Sequence, residues 1–198
     1  MTDLLATPNI GTASLEHRDR IDFTGLRAAR LARVLDAMAE RDLDACFLAR
    51  EANARYATGV RRLWTAQSRP FVPACLVVRN PPAVELLSFS ASYEDIPDEV
   101  GPDHFFPVTW NPMNMMDRFQ KTEGVLDARR IGYDSLSPFF EGMLRQTLPE
   151  AEFVGVEDMM RALKRVKLPD EIACIRTAAA IAESSLYAAI TEVRPRLS

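Results

Sequence analysis

The chain has 198 residues, of which 47% are hydrophobic and 26% are charged. This composition is typical of a soluble globular protein with room for one domain of ordinary size, or for one domain and a piece of another. The net charge of -4 gives no global reason to expect nucleic acid or an anionic membrane as a partner. No apolar run approaches the roughly 20 residues that span a bilayer.

The N-terminal segment and the cysteines both bear on localisation. Residues 1–25 lack a basic stretch followed by an apolar one, so we interpret them as a polar arm and not as a secretory signal. Cys46, Cys75 and Cys174 lie far apart, form no CxxC motif and are surrounded by apolar residues. Buried, reduced thiols are the simplest interpretation, and they predict a cytoplasmic protein.

Hydrophobic periodicity predicts helices and strands along the chain. In chain order, the predicted elements are a helix over 26–41, strands over 44–49, 71–78, 83–89 and 104–110, a helix over 112–125, a strand over 129–134, a helix over 138–148, a strand over 152–156, a helix over 158–165 and a helix over 169–193. The short link "RNPP" predicts a hairpin between the second and third strands. We therefore predict an α/β fold with a mixed sheet of about six strands flanked by helices.

The last predicted helix has one apolar side. It begins at Pro169 with two acidic residues in its first turn, and it would be about 37 Å long. Its apolar positions follow steps of three and four: Ile172, Ile175, Ala179, Ala182, Leu186, Ala189 and Val193. Such a side predicts a partner. Either this is the first helix of a second domain, or it packs in a dimer or folds back on the sheet.

Four segments, in order, resemble the creatinase / aminopeptidase P / prolidase family. They are "NARYATG" (residues 53–59), "RRIGYD" (129–134), "VGVEDMMRALKRVK" (154–167) and the linker with the start of the last helix. The linker matches the family pattern at Arg165, Val166, Lys167, Asp170, Glu171, Ile172, Ile175, Arg176 and Ala178. The likeness covers Leu26 to about Pro195. One departure is Arg196, where the family continues Arg-Pro with Gly.

The resemblance implies a specific organisation. It predicts a polar arm over 1–25, a creatinase/prolidase N-terminal domain with a ribonuclease-H-like mixed sheet over 26–166, and a linker with the first helix of a truncated "pita-bread" catalytic domain over 167–198. In the family, two Asp, one His and two Glu of that second domain hold two divalent metal ions (Mn, Co, Zn or Fe). The resemblance therefore implies a homodimeric metal-dependent hydrolase whose metal ligands and catalytic residues lie outside this chain.

The segment "GVRRLWTAQSRPF" (residues 59–71) is the candidate for a contribution to substrate binding. In dimers of the family, loops of this domain reach the neighbouring subunit's active site. Arg61 and Arg62 could pair with a substrate carboxylate, and Trp64 could stack or face a cation. The alternative is an exposed loop with solvated arginines. The substrate stays open among Xaa-Pro peptides, creatine-like guanidino acids, ectoine and sulfonium compounds.

The same residues also allow other interpretations. The chain could be a stand-alone protein-interaction module of a catalytically dead family member. A nuclease would need clustered acidic residues, for which only Asp44 and Asp134 are candidates. His104 is expected to satisfy a strand end, and the basic residues over 161–167 to be a solvated helix end. The Met cluster over 111–119 is expected in the core or at a dimer contact.

Overall fold

The computed structural model describes residues 21–60, 75–88, 102–107 and 112–192. The chain divides into two compact units, one made of Arg27–Arg165 and the other of Met1–Leu26 with Val166–Ser198. No helix within the described ranges has the length and apolar composition needed to span a membrane.

The described elements alternate between helices and strands. In chain order they are α1 (Phe23–Glu40), β1 (Ala45–Leu48), α2 (Glu51–Thr58), β2 (Cys75–Val78), β3 (Ala83–Ser88), a 3₁₀ turn (Pro102–His104), β4 (Phe105–Pro107), α3 (Pro112–Lys121), β5 (Arg130–Tyr133), α4 (Pro138–Thr147), β6 (Glu152–Gly155), α5 (Glu157–Arg165) and α6 (Pro169–Glu192). Helix α2 is the element that the periodicity did not predict. Its eight residues are too few for a clear helical repeat.

The six strands form one mixed sheet in the order β4-β3-β2-β1-β5-β6. Strand β2 runs antiparallel to β1 and to β3, which confirms the predicted hairpin. Strands β1, β5 and β6 are parallel to one another, and β4 is parallel to β3. The predicted α/β fold with a mixed sheet of about six strands and flanking helices is confirmed.

The unit Arg27–Arg165 has a hydrophobic core on each face of this sheet, because side chains alternate along a strand. In β1, Cys46 and Leu48 belong to the cluster that also contains residues of α1, α2 and α5. Ala45 and Phe47 belong to the opposite cluster, with residues of α3 and α4. There Phe47 meets Phe119 edge-on at 4.8 Å between ring centroids. The sheet is therefore covered by helices on both faces.

Helix α6 belongs to the other unit and begins as its sequence predicts. Pro169 is the first helical residue, where a missing N–H has no cost. Glu171 accepts a hydrogen bond from the N–H of Leu168 at 2.9 Å, as the third residue of a helix does in a capping box. Several apolar residues of its predicted stripe are exposed, among them Ile175 and Leu186. This helix therefore presents apolar surface along its length.

The cysteines follow the prediction in part. None of the three is joined in a disulfide, and Cys46 and Cys75 are buried in β1 and β2. Desolvation raises the pKa of the Cys46 thiol to about 12 and raises that of Cys75 as well. Cys174 on α6 is only partly buried, because its helix is largely exposed. The expectation that all three are buried was therefore wrong for Cys174.

Candidate functional site

The best-defined polar cluster lies where the parallel strands β1, β5 and β6 end. Asp134 directly follows β5, Asn53 lies in the first turn of α2 just after β1, and Glu157 begins α5 just after β6. Because the carboxyl ends of parallel strands meet at one edge of a sheet, the topology brings these three side chains together. Lys164 joins them from the last turn of α5. We call these four residues the Asn53 network.

Asn53 is the centre of this network and is completely buried. Its amide nitrogen donates to Asp134 Oδ2 at 2.8 Å and to Glu157 Oε2 at 3.3 Å. Its amide oxygen accepts a hydrogen bond from Lys164 Nζ. One side chain thus ties α2 to the end of β5 and to both ends of α5.

Asp134 holds the start of α2 in place. Its carboxylate accepts hydrogen bonds from the backbone N–H of Ala49 at 2.7 Å and of Arg50 at 3.2 Å. Negative charge is favourable at a helix N-terminus. Desolvation nevertheless raises the pKa of Asp134, against the lowering effect of its hydrogen bonds, and the nearby Glu157 raises it further. The carboxylate is saturated by partners within the chain, so it acts as a structural cap.

Helix α2 in turn fixes the point where the candidate loop begins. Tyr56 packs into the core, where it is buried, and Gly59 ends the helix with φ of 72°. A Cβ at Gly59 would lie 2.3 Å from the methylene carbons of Arg27, so both the backbone and the space require glycine. Arg33 donates to the Tyr56 hydroxyl at 3.2 Å.

The positions of the three predicted substrate-binding residues relative to α2 are not described. Arg61, Arg62 and Trp64 all lie outside the described residues, which resume at Cys75. The last described residue before this segment is Val60, which is buried and whose carbonyl oxygen accepts a hydrogen bond from Arg55 Nε. Their proposed role therefore stays a prediction.

Asp44 and Asp134 do not form the acidic pair that a nuclease would need. Asp44 precedes β1 and accepts from the N–H groups of Arg129 and Arg130, whereas Asp134 follows the parallel strand β5. Four residues of strand separate the two ends of the sheet, which is about 13 Å. Burial opposes ionisation of Asp44, but the hydrogen bonds from Arg129, Arg130 and Arg79 outweigh it and lower the pKa. Each aspartate therefore accepts backbone hydrogen bonds at a different end of the sheet.

The described residues do not fit a metal centre. Among them, no group of three or more His, Cys, Asp or Glu side chains is arranged to hold a metal ion. Asp134 and Glu157 share the amide nitrogen of Asn53, and Arg50 Nε pairs with Glu157 at 3.1 Å.

His104 and Lys164 both have specific partners. His104 Nδ1 lies 3.2 Å from the buried carboxylate of Glu85, which also accepts from Arg118 at 2.6 Å. The residue before β4 thus pairs with a carboxylate inside β3. Lys164 is partly buried and bonded to Asn53, so the expectation of a solvated basic end was wrong for this residue. The missed signal was a polar residue at or within four residues of the end of three predicted strands, namely Asn53, Asp134 and Glu157.

Comparisons with known proteins place this fold. Residues 30–166 match the family model described as the creatinase/prolidase N-terminal domain. A search of curated protein sequences gives no match. Similar solved structures include the prolidase from Pyrococcus horikoshii OT3, with 21% identity over 84% of this chain and 43% of that chain and a TM-score of 0.54.

Two further structures have the same fold. One is the X-Pro aminopeptidase from Thermotoga maritima MSB8, with 16% identity, coverage of 77% of this chain and 42% of that chain, and a TM-score of 0.57. The other is the Xaa-Pro dipeptidase from Bacillus anthracis, with 15% identity, coverage of 87% and 45%, and a TM-score of 0.57. The chain thus spans less than half the length of these structures. Its described fold and the match over residues 30–166 show that it belongs to the creatinase/prolidase N-terminal domain family.

Proposed function

We propose that this chain is the non-catalytic N-terminal domain of a creatinase or Xaa-Pro peptidase-type metallohydrolase. The observation that carries this proposal is the family match over residues 30–166. Prolidase and Xaa-Pro peptidase structures of the same fold are more than twice as long as the region they share with this chain. In this proposal, chemistry at two divalent metal ions (Mn, Co, Zn or Fe) is performed by residues outside the chain, in a cytoplasmic homodimer.

The domain's contribution would be to dimerisation and to closing the partner's active site. The Asn53 network supports this idea because it fixes α2, which leads directly to the segment containing Arg61, Arg62 and Trp64. In trans, the two arginines would pair with a substrate carboxylate. Trp64 would cover the substrate and exclude water from it.

Two assays with an Xaa-Pro dipeptide and added Mn²⁺ or Co²⁺ test the proposal. The purified 198-residue chain should show no turnover. A protein that includes any coding sequence downstream of Ser198 should show turnover, with two Asp, one His and two Glu in the added part. Turnover by the short chain would overturn the non-catalytic role. A native stop codon after Ser198 would exclude a covalently joined catalytic domain.

The role in trans needs its own variants in the longer protein. Trp64→Ala and Arg62→Ala should each lower kcat/KM by about tenfold, which corresponds to about 1.4 kcal/mol of transition-state binding. Arg161→Ala is the matched control, since Arg161 is exposed on α5. Kinetics of Trp64→Ala and Arg62→Ala that equal those of the control would exclude the in-trans role.

The alternative is a stand-alone protein-interaction module. The observation that favours it is the apolar surface of α6, where Ile175, Leu186 and Ile190 are each more than half exposed. Exposed apolar side chains that lie together on one helix are typical of an interaction site. The same downstream reading frame distinguishes the two proposals, because only the hydrolase requires the additional metal ligands.

A further inference from the structure

Helix α3 begins with methionines that differ sharply in exposure. Met113, the second residue of the helix, is 59% exposed. Met115 and Met116 are 2% and 3% exposed and belong to the core cluster that also contains Phe119 and Phe140. The same short stretch of sequence therefore places one thioether at the surface and two in the interior.

The other methionines of the described ranges are less accessible than Met113. Met38, Met159 and Met160 are buried, and Met143 on α4 is partly buried. Among the described residues, Met113 is thus the one methionine with an exposed side chain. An oxidant dissolved in water must reach the sulfur atom to react with it, so exposure decides which methionine is modified first.

The thioether of Met113 can accept one oxygen atom from a peroxide. A lone pair of the sulfur attacks the hydroxyl oxygen of the peroxide, the O–O bond breaks and an S–O bond forms. The leaving oxygen takes up the proton of that hydroxyl, so hydrogen peroxide yields water and an alkyl hydroperoxide yields an alcohol. The sulfur loses two electrons, the peroxide gains them, and the side chain becomes methionine sulfoxide.

The surroundings of Met113 can accommodate the polar oxygen of a sulfoxide. Met113 lines an open groove of about 350 Å³ between α3 and α4, together with Gln120 and Gln146. Both glutamines are exposed, and their amide nitrogens are hydrogen-bond donors that suit a sulfoxide oxygen. The first turn of a helix is also favourable for partial negative charge. In contrast, an oxygen on Met115 or Met116 would lie in the core without water to solvate it.

We propose that Met113 is a reversible oxidation site of this chain, modified by hydrogen peroxide or an alkyl hydroperoxide while the domain stays folded. Oxidation replaces an apolar side chain of the groove by a polar one. Its reversal needs a methionine sulfoxide reductase and a dithiol, which becomes a disulfide as the oxygen leaves in water. The site does not depend on the proposed function, because it needs no residue outside α3 and α4.

Peptide mapping by tandem mass spectrometry tests the site on the 198-residue chain after brief treatment with hydrogen peroxide. Met113 should gain one oxygen atom at least about tenfold faster than Met38, Met159 and Met160, with Met143 in between. Treatment in concentrated urea is the control for exposure, because all of these methionines should then react at similar rates. A chain oxidised at Met113 should melt within about 2 °C of the untreated chain.

Met113→Leu and Met143→Leu are the matched variants, since leucine keeps a similar apolar volume. Met113→Leu should remove the fast oxygen uptake from the tryptic peptide over 80–118, whereas Met143→Leu should leave it unchanged. Sulfoxide reductases specific for the two epimers, with dithiothreitol, should return that peptide to its original mass. Equal rates for Met113 and the buried methionines in the folded chain would overturn the proposal. Unfolding that accompanies oxidation of Met113, or a sulfoxide that the reductases leave in place, would also overturn it.

Discussion

Replacing Asn53 with alanine should destabilise the domain more than any surface substitution, because this buried amide serves three partners. The change removes the hydrogen bond to the Asp134 carboxylate at 2.8 Å and the one accepted from Lys164. A hydrogen bond to a charged group contributes about 1.5–3 kcal/mol. Lys164 is only partly buried and can recover water, so the loss at Asp134 dominates. We expect a loss of about 2–4 kcal/mol in the free energy of unfolding.

Urea unfolding followed by far-ultraviolet circular dichroism measures this loss, with Asn114→Ala as the matched control. Asn114 is exposed on α3, so its replacement should change stability by no more than about 0.5 kcal/mol. A double-mutant cycle with Lys164→Met isolates the Asn53–Lys164 term, and contacting residues should give a coupling of at least about 0.5 kcal/mol. A loss below about 1 kcal/mol for Asn53→Ala would refute the reasoning.

Three further outcomes follow from charges and thiols. Burial raises the pKa of Asp134 above 3.8, so between 3.8 and the raised value the folded state binds more protons than the unfolded state. The stability of the unmodified chain relative to Asp134→Asn should therefore fall as pH rises through that window. A stability difference that rises with pH in urea titrations would contradict this prediction. Arg118→Met should lower the free energy of unfolding by about 3 kcal/mol, since it leaves the buried carboxylate of Glu85 without its guanidinium partner. Lys121→Met breaks an exposed ion pair and should lower it by less than about 1 kcal/mol. Equal losses for the two variants would argue against a buried ion pair at Glu85. In the native state an aromatic disulfide reagent should modify Cys174 alone, because Cys46 and Cys75 are buried. Cys174→Ser should therefore abolish the absorbance change that the reaction produces. A fast absorbance change that remains in this variant would show that a buried thiol is accessible.

The elements were predictable where the local pattern is strong. Two short apolar runs joined by the prolines of "RNPP" were enough to predict the hairpin of β2 and β3. Pro169 and the acidic residues after it were enough for the start of α6. Helix α2 was missed because eight residues carry little periodicity, and its start depends on the carboxylate of Asp134, which is 85 residues from Ala49.

In the candidate site, likewise, the residues were visible in the sequence but their contacts were not predicted. Each polar residue that follows a strand was visible in the sequence, and "NARYATG" and "RRIGYD" were singled out as separate motifs. Their junction through Asn53 and Asp134 was not predicted, nor was the role of Lys164. Charge alone made Lys164 look like a solvated helix end. Only its position in the last turn of α5 brings it to a buried amide oxygen.

The sequence by itself determined the kinds of elements, their order and the family, because periodicity, capping residues and short motifs act over a few residues. Only the tertiary structure decided which of those residues meet. The parallel arrangement of β1, β5 and β6 places Asp134 beside Asn53 and puts Asp44 at the opposite end of the sheet. Such contacts depend on strand order and direction, which residues far apart in the chain establish together.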